Sequence, residues 1–453
     1  MIPGKYPPGP RGHPLWGISR QLQRDLLGTM TSLTHEFGDA VRFRFLPGHY
    51  AYLFTHPDHV HHILHQYANI YSKDVPAFKM LRKFEGNGLV TSEGDLWRHQ
   101  RKLMQPAFHR QHIAKLAGVM TDATTRLANR WSQRLDNQPL DIHREMTRLT
   151  LEIAGLTLFG IDISADGDCV GQGVEALSNF VSKASVNPRY FWMINWPLRR
   201  NVRIQAQMKA SHEVVDRIIR QRRKNPVPEA NDLLALLMEA RDEEIGETMP
   251  DEQIRAEVHT LLNAGHDTSA NALTWLFYLL SIHPEIMAKV EKEQNLVLAG
   301  QRPTLEALFR LSYSKMVIEE TLRLYPPVYG TVRKAEQRDV VKGFRVEPNS
   351  IIAIYPYLTH RHPDFWPEPE SFFPERFAEN SSINRHKYAY IPFGAGPRQC
   401  IAANFAMMEM QLVLATLLSR FTFKPVPGHS VKLEPLVTLR PKGGLPLLVQ
   451  RRS

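Results

Sequence analysis

The chain has 453 residues, 43% apolar and 23% charged, a composition that can bury a large core and excludes a disordered chain. Lys and Arg number 56 against 46 Asp and Glu, a formal charge of +10 that favours an acidic protein, a nucleic acid or an anionic membrane surface as partner. The basic residues are spread along the chain with no finger, basic zipper or aromatic RNA-binding pattern, which argues against nucleic acid. Two cysteines, Cys169 and Cys400, exclude a disulfide framework and point to a reducing compartment, the cytoplasm.

Met1 to Gly17 carries Pro3, Pro7, Pro8, Pro10 and Pro14, which predicts a stiff arm. It has neither the apolar centre of a secretory signal nor the ~20 apolar residues of an integral membrane anchor. A helical pattern runs from Leu22 to Phe37. Two alternating runs, Val41 to Phe45 and Tyr50 to Phe54, then flank Pro47–Gly48 as a short hairpin. His56, His59, His61, His62 and His65 include helical spacings, but no cysteine or carboxylate pattern completes a metal site, so a solvated histidine face is expected. Cys169 follows the polar stretch Asp162 to Asp168 and reads as an unpaired loop thiol.

The clearest helix starts near Thr248, spaced from Asp251 like a capping box with Pro250 in the first turn, and runs to His283, where Pro284 stops it. That is roughly 33 residues or about 50 Å, and its apolar residues (Leu261, Leu262, Ala270, Leu273, Leu276) require it to cross the middle of the molecule. A second helix, Tyr313 to Leu324, ends at Pro326–Pro327; strands follow at Ile351 to Tyr355 and near Leu447 to Val449. The expectation is a mainly α fold with a small β-sheet region built from distant segments, forming one domain over residues 1–453.

One segment carries the chemistry: Phe393–Gly394–Ala395–Gly396–Pro397–Arg398–Gln399–Cys400, followed by a helical run from Ile401. Two glycines allow a tight turn, and a cysteine at a helix N-terminus has a dipole and free amides to stabilise a thiolate, the form that ligates a metal. Phe, Gly, Arg and Cys at this spacing resemble the haem-binding loop of the cytochrome P-450 superfamily. Three further motifs agree with it. Glu320–Thr321–Leu322–Arg323 and the later Phe373–Pro374–Glu375–Arg376–Phe377 resemble the family's structural network of Glu320, Arg323 and Arg376. Trp97 and Arg101, four apart on a predicted helix, fit either a cation–π pair or the family's propionate ligands. Ala264–Gly265–His266–Asp267–Thr268 places a glycine, an acid and an alcohol in little more than one turn, where glycine's cost of ~1 kcal/mol suggests a local distortion or a close ligand.

The resemblance implies a P-450 fold whose long central helix crosses over haem b (iron protoporphyrin IX). By it, Cys400 is the axial thiolate, with Phe393 near the sulfur and Gly394 and Ala264 against the cofactor. Trp97, Arg101, Arg333 and Arg398 meet the propionates. Thr268 hydrogen-bonds the oxygen and Asp267 relays protons from solvent. Leu89, Val90, Leu261, Val328 and Tyr329 lie near the substrate, and Tyr190 to Trp196 forms a lid over its channel. Many members have glycine two residues after the ligand where this chain has Ala402, small enough to leave ligation intact.

The implied activity is insertion of one oxygen atom from O2 into an apolar substrate, a fatty acid, terpenoid or steroid, with fatty acid first. With no flavin or iron–sulfur segment before Ser453, electrons are expected from NAD(P)H through a separate reductase and a ferredoxin or flavodoxin, docking at Arg98, Lys102 and Arg110. A soluble bacterial-type monomer is expected, although the proline-rich arm also resembles the hinge after the anchor of membrane-bound members. The alternatives are a peroxide-driven or rearranging haem-thiolate enzyme, which needs no donor, and a non-catalytic haem-binding sensor or helical scaffold.

Overall fold

The computed structural model describes residues 4–46, 49–134, 138–187, 199–225, 232–239 and 249–452. The proline-rich arm lies along the first strand, where Arg42 N–H donates to Pro8 O at 2.8 Å and the Arg42 guanidinium stacks 4.2 Å from the Tyr6 ring. The single helix expected from Leu22 to Phe37 is two, Ser19–Arg24 and Leu26–Phe37. Asp25 breaks it: its backbone is extended and its carboxylate accepts from Gly28 N–H at 2.9 Å. An N-cap embedded in an apolar-periodic run is invisible to periodicity.

Ala40–Leu46 and His49–Phe54 form the expected antiparallel hairpin, with Val41 opposite Leu53; its turn, Pro47–Gly48, lies outside the described residues. His49–Phe54 pairs in parallel with Ile351–Ile354, which pairs antiparallel with Thr331–Ala335, and that strand pairs with Tyr71–Ser72. Among the described residues the small β region built from distant segments is divided into four sheets. Pro446–Arg451 joins Phe421–Pro425 and Leu140–Asp141 in a separate three-stranded sheet, and two further two-stranded sheets are present.

The central helix spans Asp251–Ile282, 32 residues or about 48 Å. Pro250 occupies its N-cap rather than its first turn and makes no side-chain cap; Thr248, the expected capping partner, lies outside the described residues. Asp251 and Glu252 suit the positive end of the dipole. Val258, Leu262, Ala270, Leu273, Trp275, Phe277 and Leu280 are wholly buried along it, each large side chain contributing ~1.5–3 kcal/mol of burial. Trp275 stacks on Tyr325 at 4.4 Å and its indole N–H donates to Leu439 O at 2.9 Å, pinning the helix to the C-terminal strands.

A second helix, Ser312–Leu324, carries Glu320 and Arg323, both fully buried. Arg323 donates to both Glu320 carboxylate oxygens at 2.7 and 2.8 Å, and Arg376 Nε donates to Oε1 at 2.9 Å. The spare N–H groups of the two arginines reach the carbonyls of His360, Pro369, Ser371, Pro367 and Glu368. The network clamps the irregular segment before the cysteine loop, and buried His360 extends it by accepting Ile391 N–H at 2.8 Å.

Two minor expectations fail. His59 and His62 are buried rather than solvated: His59 is pushed down to about 4 by burial, and His62 bonds Asp339 at 2.7 Å. Cys169 lies in the first turn of the helix Gly167–Val186, not in a loop, and burial raises its thiol pKa. Asp- and Gly-rich sequence read as a loop is here the start of a helix. Among the described residues no helix is long and apolar enough to cross a membrane, and Tyr190 to Trp196 lies outside them.

Candidate active site

The cysteine loop is built by two glycines with different duties. Both have left-handed backbones, φ 71° at Gly394 and 69° at Gly396. A Cβ on Gly396 would fall 1.8 Å from Leu64 O, so the chain can lie against that carbonyl only without a side chain; at Gly394 the space is open and only the backbone asks for glycine. After the tight turn Gly396–Arg398, Cys400 N–H donates to Phe393 O at 2.9 Å and closes the loop. The helix that follows is Ala403–Leu418, with Ala402 as its N-cap at φ −96°, a conformation any L-residue adopts, so nothing in the backbone calls for glycine there.

Cys400 opens onto a cavity of about 1250 Å³ while remaining enclosed by protein. Burial raises its thiol pKa; the Ala402 N–H and the Arg101 charge oppose this and do not overcome it. Desolvation outweighs one amide and a cation.

Four of the cations lining the same cavity, Arg398, Arg101, Arg333 and Lys73, lie within electrostatic reach of one another. Arg398 stacks 3.9 Å over the Trp97 ring, pairs with Glu93 at 3.1 Å and donates to Ser92 O at 2.9 Å; burial, above all, brings it down to about 10. Arg101 does not make the cation–π pair its spacing allowed: it donates to Gln399 O at 2.8 Å, beside the cysteine. Among the described residues Arg333 bonds only Thr331 Oγ1 and Val332 O, and burial with the Arg398 charge lowers it to about 10. Lys73, which the sequence did not single out, donates to Val90 O at 2.8 Å and is driven well below the usual lysine range by burial, then by Arg333 and Arg398. Among the described residues Glu93 is the one carboxylate paired with this group. So much buried, mutually repelling positive charge calls for anions. Haem, with two propionates to meet the cations and an iron to meet the sulfur, fits this cavity.

The opposite wall is the central helix, where Ala264, Gly265, Asp267 and Thr268 line the cavity. The helix is unbroken there, which removes the distortion and leaves the close ligand of the two expected alternatives, and a Cβ on Gly265 would meet nothing nearer than Leu158 Cδ1 at 3.8 Å. Glycine here widens the cavity rather than relieving a clash. The Thr268 hydroxyl donates back to Ala264 O at 2.7 Å, leaving its oxygen free to accept. Asp267 accepts from the Thr438 hydroxyl at 2.7 Å, and Asn271 Nδ2 reaches Thr438 Oγ1 at 3.3 Å. His143 and Arg440 lie within electrostatic reach of one another and of this cluster, and Arg440 bonds half-exposed Glu175 at 3.1 Å.

Leu89, Val90, Leu261, Val328 and Tyr329 all line the cavity, as do Phe393, Gly394 and Arg398. Tyr329 is fixed by its hydroxyl donating to Leu436 O at 2.6 Å. Sequence reasoning missed Lys73, Glu85, Glu93 and Thr438. Lys73, Glu85 and Thr438 line the wall, and Glu93 stands behind Arg398. None sits in a spaced motif; only the fold brings them together.

A sequence profile described as Cytochrome P450 matches residues 7–447. Cyclooctatin synthase of Streptomyces melanosporofaciens is 34% identical over 433 residues, 95% of this chain and 92% of that protein. Cyclooctat-9-en-7-ol 5-monooxygenase of the same organism is 34% identical over 424 residues, 93% of this chain and 90% of the relative. Putative cytochrome P450 132 of Mycobacterium tuberculosis is 31% identical over 428 residues, covering 91% and 90%. With a cysteine loop, a cation cluster and a central helix converging on one cavity, and with likeness over nearly its whole length, the chain belongs to the cytochrome P450 family of haem-dependent monooxygenases.

Proposed function

We propose that the chain inserts one atom of O2 into an apolar small molecule bound between the central helix and a haem ligated by Cys400. The observation that carries this is the single cavity in which a cysteine thiol, four under-compensated cations and the Asp267–Thr268 turn meet apolar walls. At about 1250 Å³ it exceeds the ~300–1,000 Å³ of a drug-sized site, room for a cofactor and a substrate together. Bound haem supplies the oxygen activation and one-electron chemistry.

The chain's own groups have separable tasks. Lys73, Trp97, Arg101, Arg333 and Arg398 would hold the propionates, and Phe393 and the Gly394 turn set the sulfur's position. Cys400 would hold the iron through its sulfur and would lose its proton in doing so, the usual coupling of ligation to deprotonation. Thr268 offers an acceptor oxygen to the cavity, and Asp267, steadied by Thr438, moves protons from the side where Arg440 and Glu175 approach the surface. Leu89, Val90, Leu261, Val328 and Tyr329 desolvate the substrate.

Electrons come from NAD(P)H through a separate reductase and a ferredoxin or flavodoxin. Exposed Arg98 and Lys102 lie on the helix Gly94–Met104, whose Arg101 touches the cysteine loop, and exposed Arg110 follows it in the chain, which supports docking of an acidic donor there. The test is turnover under labelled O2 with reduced ferredoxin, using substrates chosen from a spectral-shift screen of fatty acids, terpenes and steroids. One labelled oxygen atom in the product is expected. Turnover with peroxide but not with ferredoxin and O2 overturns the reading in favour of a peroxide-driven enzyme.

A further inference from the structure

The wall of the cavity is not uniformly apolar. The helix Pro76–Glu85 ends at Glu85, and the chain beyond it is pressed onto the central helix: a Cβ on Gly86 would fall 2.8 Å from Ala256 Cβ, and one on Gly88 2.2 Å from Thr260 Oγ1. This contact brings Glu85 to Asn263, whose Nδ2 donates to Glu85 Oε1 at 3.0 Å and approaches His259 Nδ1 at 3.2 Å. Glu85, Thr260 and Asn263 all line the cavity.

Their hydrogen bonding is incomplete. Asn263 is 8% exposed and Thr260 2%, yet Asn263 Oδ1 and Thr260 Oγ1 have no partner. Two buried polar atoms left unpaired have lost their water without gaining a partner, so a ligand that pairs them recovers what the protein forgoes. Leu81, Leu89, Leu177, Val181 and Leu261 line the same cavity and have no polar side-chain atom to offer.

We infer that Glu85, Thr260 and Asn263 form a subsite that takes one hydroxyl of an otherwise apolar substrate. A hydroxyl is the group whose capacity fits: its O–H donates to Glu85 or to Asn263 Oδ1, and its oxygen accepts from Thr260. A carboxylate presents only acceptors to a site already rich in them and sets a second acid beside Glu85. An ether lacks the donor. The subsite therefore selects an apolar alcohol over a fatty acid, and a preceding oxygenation or hydration must supply that alcohol. Burial pushes the Glu85 carboxyl up to about 7, opposed by the Asn263 bond, so near neutrality it serves as acceptor or donor. The inference rests on the reading that this cavity binds an apolar substrate.

Calorimetric titration of the holoenzyme tests it with three sets of probes: hexadecanol, its methyl ether and hexadecanoic acid; geranylgeraniol, its methyl ether and geranylgeranic acid; cholesterol and its methyl ether. In at least one set the alcohol binds about 10-fold or more tightly than its partners, the size of one hydrogen bond to a charged group. That preference collapses in Glu85→Leu and, from the other helix, in Thr260→Val, each checked for folding by its thermal transition. Equal binding within every set, tighter binding of an acid, or a preference that survives both substitutions overturns the subsite and leaves the apolar-substrate reading standing. Binding of no probe overturns both.

Discussion

Replacing Glu320 by Gln removes one negative charge from a fully buried site that holds two guanidinium groups. Glu320 accepts four hydrogen bonds, from Arg323 Nε and Nη2, Arg376 Nε and Phe373 N. Gln keeps the shape but turns an NH2 group toward a guanidinium, and Arg323 and Arg376 lose their common counter-charge. Breaking a buried pair in this way costs about 3–5 kcal/mol because an uncompensated charge stays behind. Unfolding entropy of roughly 2.1 cal/mol/K per residue over 453 residues is about 1 kcal/mol/K, so Tm falls by about 3–5 °C. The control is Asp122→Asn, which breaks the Arg302–Asp122 pair, more than half exposed on both sides, and costs at most about 1 kcal/mol. Scanning calorimetry of the three proteins decides the matter. If Glu320→Gln melts with Asp122→Asn, the network does not hold this fold together and the reasoning from burial is wrong.

The cysteine loop yields a contrast within one turn: Gly394→Ala meets open space and costs ~1–2 kcal/mol of backbone strain, whereas Gly396→Ala must also displace Leu64. Haem retention during gel filtration is expected to survive the first change and fail with the second; equal retention contradicts the contact. Buried Glu257 accepts from Leu89 N–H and Gln253, and burial raises its carboxyl to about 7. Its folded pKa exceeds the unfolded value near 4.5, so the native state holds the proton more tightly and stability is lost as pH rises from 4.5 through 7, by about 3 kcal/mol. Glu257→Gln therefore gains on the wild type between pH 5 and pH 8 in urea midpoints, and a constant difference between the two proteins refutes it. Lys73→Met relieves repulsion with Arg333 and Arg398 but removes one of the cations proposed to hold the propionates. Haem transfer to excess apomyoglobin is expected to speed up roughly 10-fold, the size of one charge-assisted hydrogen bond; an unchanged rate shows that Lys73 does not touch the group.

The legible parts of this molecule are those written in short, spaced patterns. Pro284 and apolar periodicity marked the central helix, and the glycines before Cys400 marked the turn, because local sterics fix both. Glu320, Arg323 and Arg376 were legible only through the family resemblance, since their spacing alone suits a weak surface pair. Asp25 was missed because a capping residue can sit inside a periodic run, and the fate of Arg101 because Arg398, distant in sequence, reaches Trp97 first. Lys73, Glu85 and Thr438 carry no pattern at all. They reach the cavity from three segments that only tertiary packing unites, and a single sequence does not encode such a meeting in any local window.

The account turns on Cys400 as the ligand, and the carbon monoxide difference spectrum of the reduced protein reads that bond directly. The wild type is expected to show the red-shifted Soret band of a thiolate-ligated adduct, and Cys400→Ala to lose it. The same band, undiminished, in Cys400→Ala contradicts the account.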